Sequence, residues 1–105
     1  MIGEYESRKL SMAQVTIYTT NWCPYCHGAK ALLRSKSVEF DEIDITDDPQ
    51  KRVEMERLSH RRTVPQIFID GRAIGGYDDA RMLDATGELD RLLGIVNRSG
   101  PGSAW

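Results

Sequence analysis

The chain holds two cysteines, three residues apart in Cys23-Pro24-Tyr25-Cys26. Thiols at that spacing are suited to disulfide exchange: one thiolate attacks a substrate disulfide, and a second thiol one helical turn away releases the mixed disulfide that forms. The surroundings favour this chemistry. Val15-Thr16-Ile17-Tyr18-Thr19 reads as a short buried strand, and from Pro24 the pattern turns helical, with Ala29, Leu32 and Leu33 on one face. Cys23 would then sit at a helix N-terminus, where unsatisfied backbone N–H groups and the positive end of the macrodipole favour a thiolate over a thiol. Cys23 is therefore expected to be the nucleophile and the more exposed of the pair, with Cys26 as the resolving thiol. Pro24 suits the first helical position. His27 and Lys30 follow on the same helix, where they either add positive potential or face solvent.

Other roles for the pair fit less well. A disulfide across two intervening residues closes too small a loop to remove much entropy from the unfolded chain. Structural zinc takes four ligands, and beyond the cysteines only His27 and His60 are available, one beside Cys26 and the other far off in a basic loop. No metal is expected. Two inert packing cysteines would not need proline and tyrosine between them at a helix mouth.

The elements that must position the pair follow from periodicity. Val38 to Ile45 alternates with period two. Thr46-Asp47-Asp48-Pro49 is a helix start, with the helix running through Val53, Met55 and Leu58. Pro65 to Ile69 is a strand, and Asp70-Gly71 is a two-residue hairpin signal leading to Arg72-Ala73-Ile74. Gly75-Gly76 ends that strand, Asp78 or Asp79 can cap the next helix, and Gly87 separates it from a last short one. The order β-α-β-α-β-β-α-α joins a parallel crossover to an antiparallel hairpin, giving a four-stranded mixed sheet flanked by helices in one α/β domain over residues 14–95. Residues 1–13 read as a flexible N-terminal extension and 96–105 as a disordered C-terminal tail.

Three separated motifs, Cys23-Pro24-Tyr25-Cys26, Thr63-Val64-Pro65-Gln66-Ile67-Phe68-Ile69 and Gly75-Gly76-Tyr77-Asp78-Asp79, stand in the order found in dithiol glutaredoxins, and the sequence resembles the bacterial class of that family over residues 14–95. The resemblance implies a thioredoxin fold, a cis Pro65 facing the cysteines, and glutathione as co-substrate in reducing protein disulfides and glutathione mixed disulfides.

Glutathione carries two carboxylates and one ammonium, so its groove needs donors at two places and an acceptor at one. Val64, after Thr63 and before Pro65, can pair its backbone with the cysteinyl peptide as an added strand would. Amides around Gly76 and Tyr77 can hold the γ-glutamyl carboxylate, and Asp78 can accept from its ammonium. Asp79 belongs to the same helix start. Arg61 or Arg62 can hold the glycine carboxylate, and Tyr25 forms a wall, with Trp22 a weaker candidate for the rim. One departure is Thr20, where related sequences often carry a lysine.

A net charge of −2 and a single short basic tract, Arg57 to Arg62, give no reason to expect nucleic acid. Neither a signal-like apolar stretch in residues 1–10 nor a membrane-length apolar run is present, so a cytoplasmic location is expected. The expected state is a monomer, with ribonucleotide reductase as a client by family analogy. Two further functions compete. An iron–sulfur carrier would share a cluster through Cys23, although Pro24, Tyr25 and a second cysteine oppose it. A redoxin served by thioredoxin reductase would not need the groove around Gly76 and Asp78.

Overall fold

Alternating side-chain direction along two strands sorts the core of this protein into two layers. Its structure, a computed structural model, describes residues 13–95. The elements run β1 (Val15–Thr19), α1 (Pro24–Ser35), β2 (Asp41–Asp44), α2 (Pro49–Ser59), β3 (Gln66–Ile69), β4 (Arg72–Gly75), α3 (Tyr77–Ala85) and α4 (Glu88–Leu93). The strands form one sheet in the order β2-β1-β3-β4, with β1 parallel to β2 and antiparallel to β3, and β3 antiparallel to β4. This is the mixed sheet and element order expected from the sequence.

Val15 and Ile17 of β1, with Ile67 and Ile69 of β3, pack with Ala29 and Leu33 of α1, Ala80 of α3, and Leu89 and Leu93 of α4. Tyr18 and Phe68, the intervening residues, join Ile45 and Met55 in a smaller cluster with α2. The Tyr18 and Phe68 rings meet edge-on, 5.5 Å apart. The Tyr18 hydroxyl donates to Glu54 of α2 at 2.7 Å. Burial, reinforced by that carboxylate, pushes the phenol pKa up to about 12.

The Asp70-Gly71 turn forms as expected, with φ of 52° and 82° at its two residues. Its Asp70 also exchanges hydrogen bonds with Gln14 at the start of β1. One expectation about the elements needs correction. The period-two stretch from Val38 to Ile45 yields only a four-residue edge strand, because Val38 and Ile45 are buried beyond its ends. In α2, Val53 and Leu58 are exposed and Met55 alone is buried. Met55→Ala should therefore destabilise the fold by about 3 kcal/mol, measured as a shift of the urea midpoint at constant m-value. Ala13, assigned to the extension, packs against the larger core cluster. The rest of the expected extension and the C-terminal tail lie outside the described residues.

Candidate active site

Cys23 is the N-cap of α1, held in extended conformation at φ −151° and ψ 93°, with Pro24 as the first helical residue. Its sulfur accepts the Cys26 backbone N–H at 3.0 Å, so one of the helix's unsatisfied donors is aimed at the atom that must carry negative charge when the pair is reduced. The two cysteines are disulfide-bonded here, with Cα atoms 5.1 Å apart. Cys26 lies inside the helix at 1% exposure and Cys23 at 6%. The expected ranking of the two holds. Cys23 is nevertheless a buried residue whose sulfur is reached from beside the helix mouth, rather than an open one.

Lys30 does not add free positive potential. Its ammonium is 2.9 Å from Glu42, which also accepts from the Thr19 hydroxyl at 2.7 Å. These partners, Lys30 foremost, hold the Glu42 carboxyl below its usual range. The network ties α1 to β1 and β2 behind the cysteines.

Opposite the helix mouth, the Val64–Pro65 peptide is cis, as the resemblance implied, and the Val64 carbonyl oxygen lies 3.7 Å from the Cys23 sulfur. A residue that the sequence reading passed over fixes this segment. Gln66, fully buried, donates through Nε2 to the Thr63 carbonyl at 3.0 Å and to its hydroxyl at 3.2 Å. A polar residue in an otherwise apolar strand was the available signal. Pro65 in turn touches the glycine pair: a Cβ on Gly76 would come within 3.2 Å of its carbonyl oxygen.

The start of α3 differs from expectation. Neither Asp78 nor Asp79 is the cap; Gly76 is, and Asp79 at the third helical position reaches back to accept the Gly76 N–H at 2.8 Å. Arg61 donates to the same carboxylate oxygen at 3.0 Å. The Gly76 amide is thereby occupied, and the first-turn amides of Tyr77 and Asp78 are the ones left at the helix mouth. Asp78 is exposed, with only a loose Arg81 contact at 3.9 Å. The Gly76 N–H, and then Arg61, hold the Asp79 carboxyl below the usual carboxylate range. A depressed folded-state pKa contributes stability above the unfolded value, lost as pH falls through the folded one. Asp79→Asn should therefore melt below the wild type at pH 7, by a margin that shrinks as pH drops under about 4, as thermal melts across pH would read.

Tyr25 and Tyr77 form one wall, their ring centroids 6.3 Å apart, with the Arg81 guanidinium 5.5 Å over the Tyr77 ring. Gly28 makes this possible, since a Cβ there would press to 2.8 Å from the Tyr77 ring. Tyr25, Val64, Pro65, Gly76, Tyr77, Asp78, Asp79 and Arg61 thus come from four parts of the chain to one side of Cys23, linked by the contacts just described. Trp22 does not join them. It is 93% exposed and borders a separate cleft with Asn21, Cys23, Pro24 and His27.

The chain is similar to known proteins over most of its length. The glutaredoxin family profile matches residues 15–74. Glutaredoxin 3 of Escherichia coli K12 is 60% identical over 82 residues, covering 78% of this chain and 99% of the relative. Glutaredoxin of Pseudomonas aeruginosa is 49% identical over 82 residues, covering 78% and 98%. Among solved structures, glutaredoxin from Brucella melitensis superposes with a TM-score of 0.72 at 51% identity, covering 80% of this chain and 91% of that one. Its thioredoxin-type sheet, its paired cysteines at a helix mouth and these similarities together make the chain a member of the glutaredoxin family, a glutathione-dependent thiol–disulfide oxidoreductase.

Proposed function

We propose that Cys23 is the nucleophile, Cys26 the resolving thiol, and the surface formed by Tyr25, Thr63, Val64, Pro65, Gly76, Tyr77 and Asp78 the glutathione groove. The observation that carries this reading is the position of the Cys23 sulfur, which receives the Cys26 N–H at 3.0 Å while standing 3.7 Å from the Val64 carbonyl. A donor stabilises the thiolate, and the groove begins at the same atom.

In the reaction, the Cys23 thiolate attacks the glutathione sulfur of a client mixed disulfide. The Cys23–glutathione bond forms, the client–glutathione bond breaks, and the client leaves as a thiolate that takes a proton from solvent. A second glutathione thiolate then attacks the mixed disulfide at the glutathione sulfur, releasing glutathione disulfide and restoring Cys23. For a protein disulfide, Cys23 attacks one client sulfur, and Cys26, losing its proton, displaces the client and closes the active-site disulfide. Two glutathione molecules reopen it.

In the groove, the Val64 backbone pairs with the cysteinyl peptide and the Tyr77 and Asp78 amides take the γ-glutamyl carboxylate. Asp78 accepts from the ammonium. Arg61, anchored by Asp79, serves the glycine carboxylate and offsets the absence of a lysine at Thr20. Asp79 acts as a positioning residue through Gly76 and Arg61.

Asp78→Asn preserves size and removes the charge. In an assay coupled to glutathione reductase it should raise the KM for glutathione roughly five- to tenfold with a smaller change in kcat. Unchanged KM would move the ammonium away from Asp78. We further propose that the protein works as a cytoplasmic monomer without a metal, on disulfide or glutathionylated clients such as ribonucleotide reductase. Among the described residues no helix is long and apolar enough to cross a membrane, and no cluster of three metal-ligating side chains occurs.

A further inference from the structure

Cys23 borders two surfaces whose other residues differ. On one side is the groove assigned to glutathione. On the other is an open cleft of about 520 Å³ lined by Asn21, Trp22, Cys23, Pro24 and His27. Trp22 is 93% exposed, the most exposed of the large apolar side chains among the described residues. A singly exposed apolar side chain is ordinary on a protein surface, but this indole lines a concave cleft together with the reactive cysteine.

The cleft has a charged margin. The Asn21 backbone N–H donates to the Thr46 hydroxyl at 2.8 Å, and that hydroxyl donates to Asp44 at 2.6 Å. Asp44 also accepts the Thr46 N–H at 2.9 Å, and the Thr46 hydroxyl and amide hold its carboxyl below the usual range. Lys30 attracts the Asp44 carboxylate from a distance, but its ion pair is made with Glu42 at 2.9 Å. The cleft therefore offers an aromatic face with an anionic edge, whereas the groove side carries Arg61.

We propose that this cleft is the docking site for the polypeptide of a glutathionylated client, with preference for a cysteine flanked by an apolar residue and a basic one. The inference rests on the glutathione groove proposed above. With glutathione in that groove, the client polypeptide is excluded from it, and the cleft is a concave surface that Cys23 itself lines. The apolar neighbour covers the Trp22 indole, and the basic neighbour meets Asp44. The preference also suits the chemistry, because the client departs as a thiolate and a cation beside a cysteine makes it a better leaving group.

The test compares two synthetic peptides of equal length, each glutathionylated on its only cysteine, one with Leu and Arg as neighbours and the other with Ser and Glu. Rates are followed with glutathione and glutathione reductase for the wild type, Trp22→Ala, Trp22→Phe and Asp44→Asn. The mixed disulfide of glutathione with 2-mercaptoethanol serves as a client too small to reach the cleft. The expected kcat/KM for the Leu-Arg peptide exceeds that for the Ser-Glu peptide by about tenfold in the wild type. Trp22→Ala abolishes that margin through KM, Trp22→Phe keeps most of it, and Asp44→Asn reduces it by about threefold. All four proteins turn over the small client within about twofold of one another. Equal use of both peptides by the wild type, or an unchanged margin in Trp22→Ala, overturns the proposal. So does a Trp22→Ala variant that loses the small client as well, since Trp22 would then serve glutathione itself. A wild type inactive on the small client would instead sink the groove on which the proposal rests.

Discussion

Cys23→Ser is expected to lower turnover of a glutathione mixed disulfide by at least about a thousandfold, while Cys26→Ser keeps a substantial fraction of wild-type activity on the same substrate. The asymmetry follows from the geometry. The Cys26 amide points at the Cys23 sulfur at 3.0 Å, so only Cys23 has a helix-terminal donor to support a thiolate, and a serine hydroxyl in its place stays protonated at neutral pH. Cys26 is enclosed one turn inside α1. Its thiol is needed to displace a bulky protein client, but glutathione can displace itself from Cys23. Cys26→Ser should accordingly fail on protein disulfides while still working on mixed disulfides, as read with insulin and with the 2-mercaptoethanol–glutathione disulfide in parallel. Equal losses in the two variants on the small substrate would contradict the assignment of roles.

The second large effect is expected at Gly75, a residue that touches no substrate. Its φ of 108° lies in a region that side chains rarely adopt, and a Cβ there would overlap the Asp79 carboxylate. Gly75→Ala therefore strains the backbone and pushes Asp79 off the Gly76 amide and Arg61 together. A loss of about 2–3 kcal/mol of stability should appear as a fall of roughly 10–20 °C in Tm. Well below the new Tm, the variant should also show a raised KM for glutathione, because both ends of the groove depend on Asp79. If Tm fell with KM unchanged, the Asp79 tie would be structural only.

Much of this could be read from the sequence because the strongest signals are local. Strands β1 and β3 are short β-rich runs, Asp70-Gly71 names its own turn, and Pro24 and Pro49 each open a helix. Those features set the order of elements and put Cys23 at a helix mouth. What failed was whatever depends on a partner distant in sequence. The helix through Val53, Met55 and Leu58 was legible, but not that Met55 is its one buried residue or that Glu54 takes the Tyr18 hydroxyl. Asp78 looks like a cap until the unusual backbone at Gly75 turns the Gly76 amide toward Asp79.

The residues proposed for the groove came as a set from the three-motif resemblance, but the contacts that hold them in place were not legible. Gln66 under Thr63, and Gly28 under Tyr77, act through contacts with residues 3 and 49 positions away respectively, and only the former lies close enough in the chain to leave a local trace. Trp22, beside Cys23 in sequence, was assigned to the same rim. Adjacent residues at a helix mouth diverge to different sides, and it borders the other cleft.

The most direct test of the account is to trap the intermediate. Cys26→Ser, reacted with isotope-labelled oxidised glutathione, should hold one glutathionyl group on Cys23, and isotope-filtered NMR then reports which protein protons surround it. Contacts from glutathione to Val64, Tyr77 and Tyr25 are the predicted result. Contacts confined to Trp22 and His27, or glutathione attached to a residue other than Cys23, would contradict it.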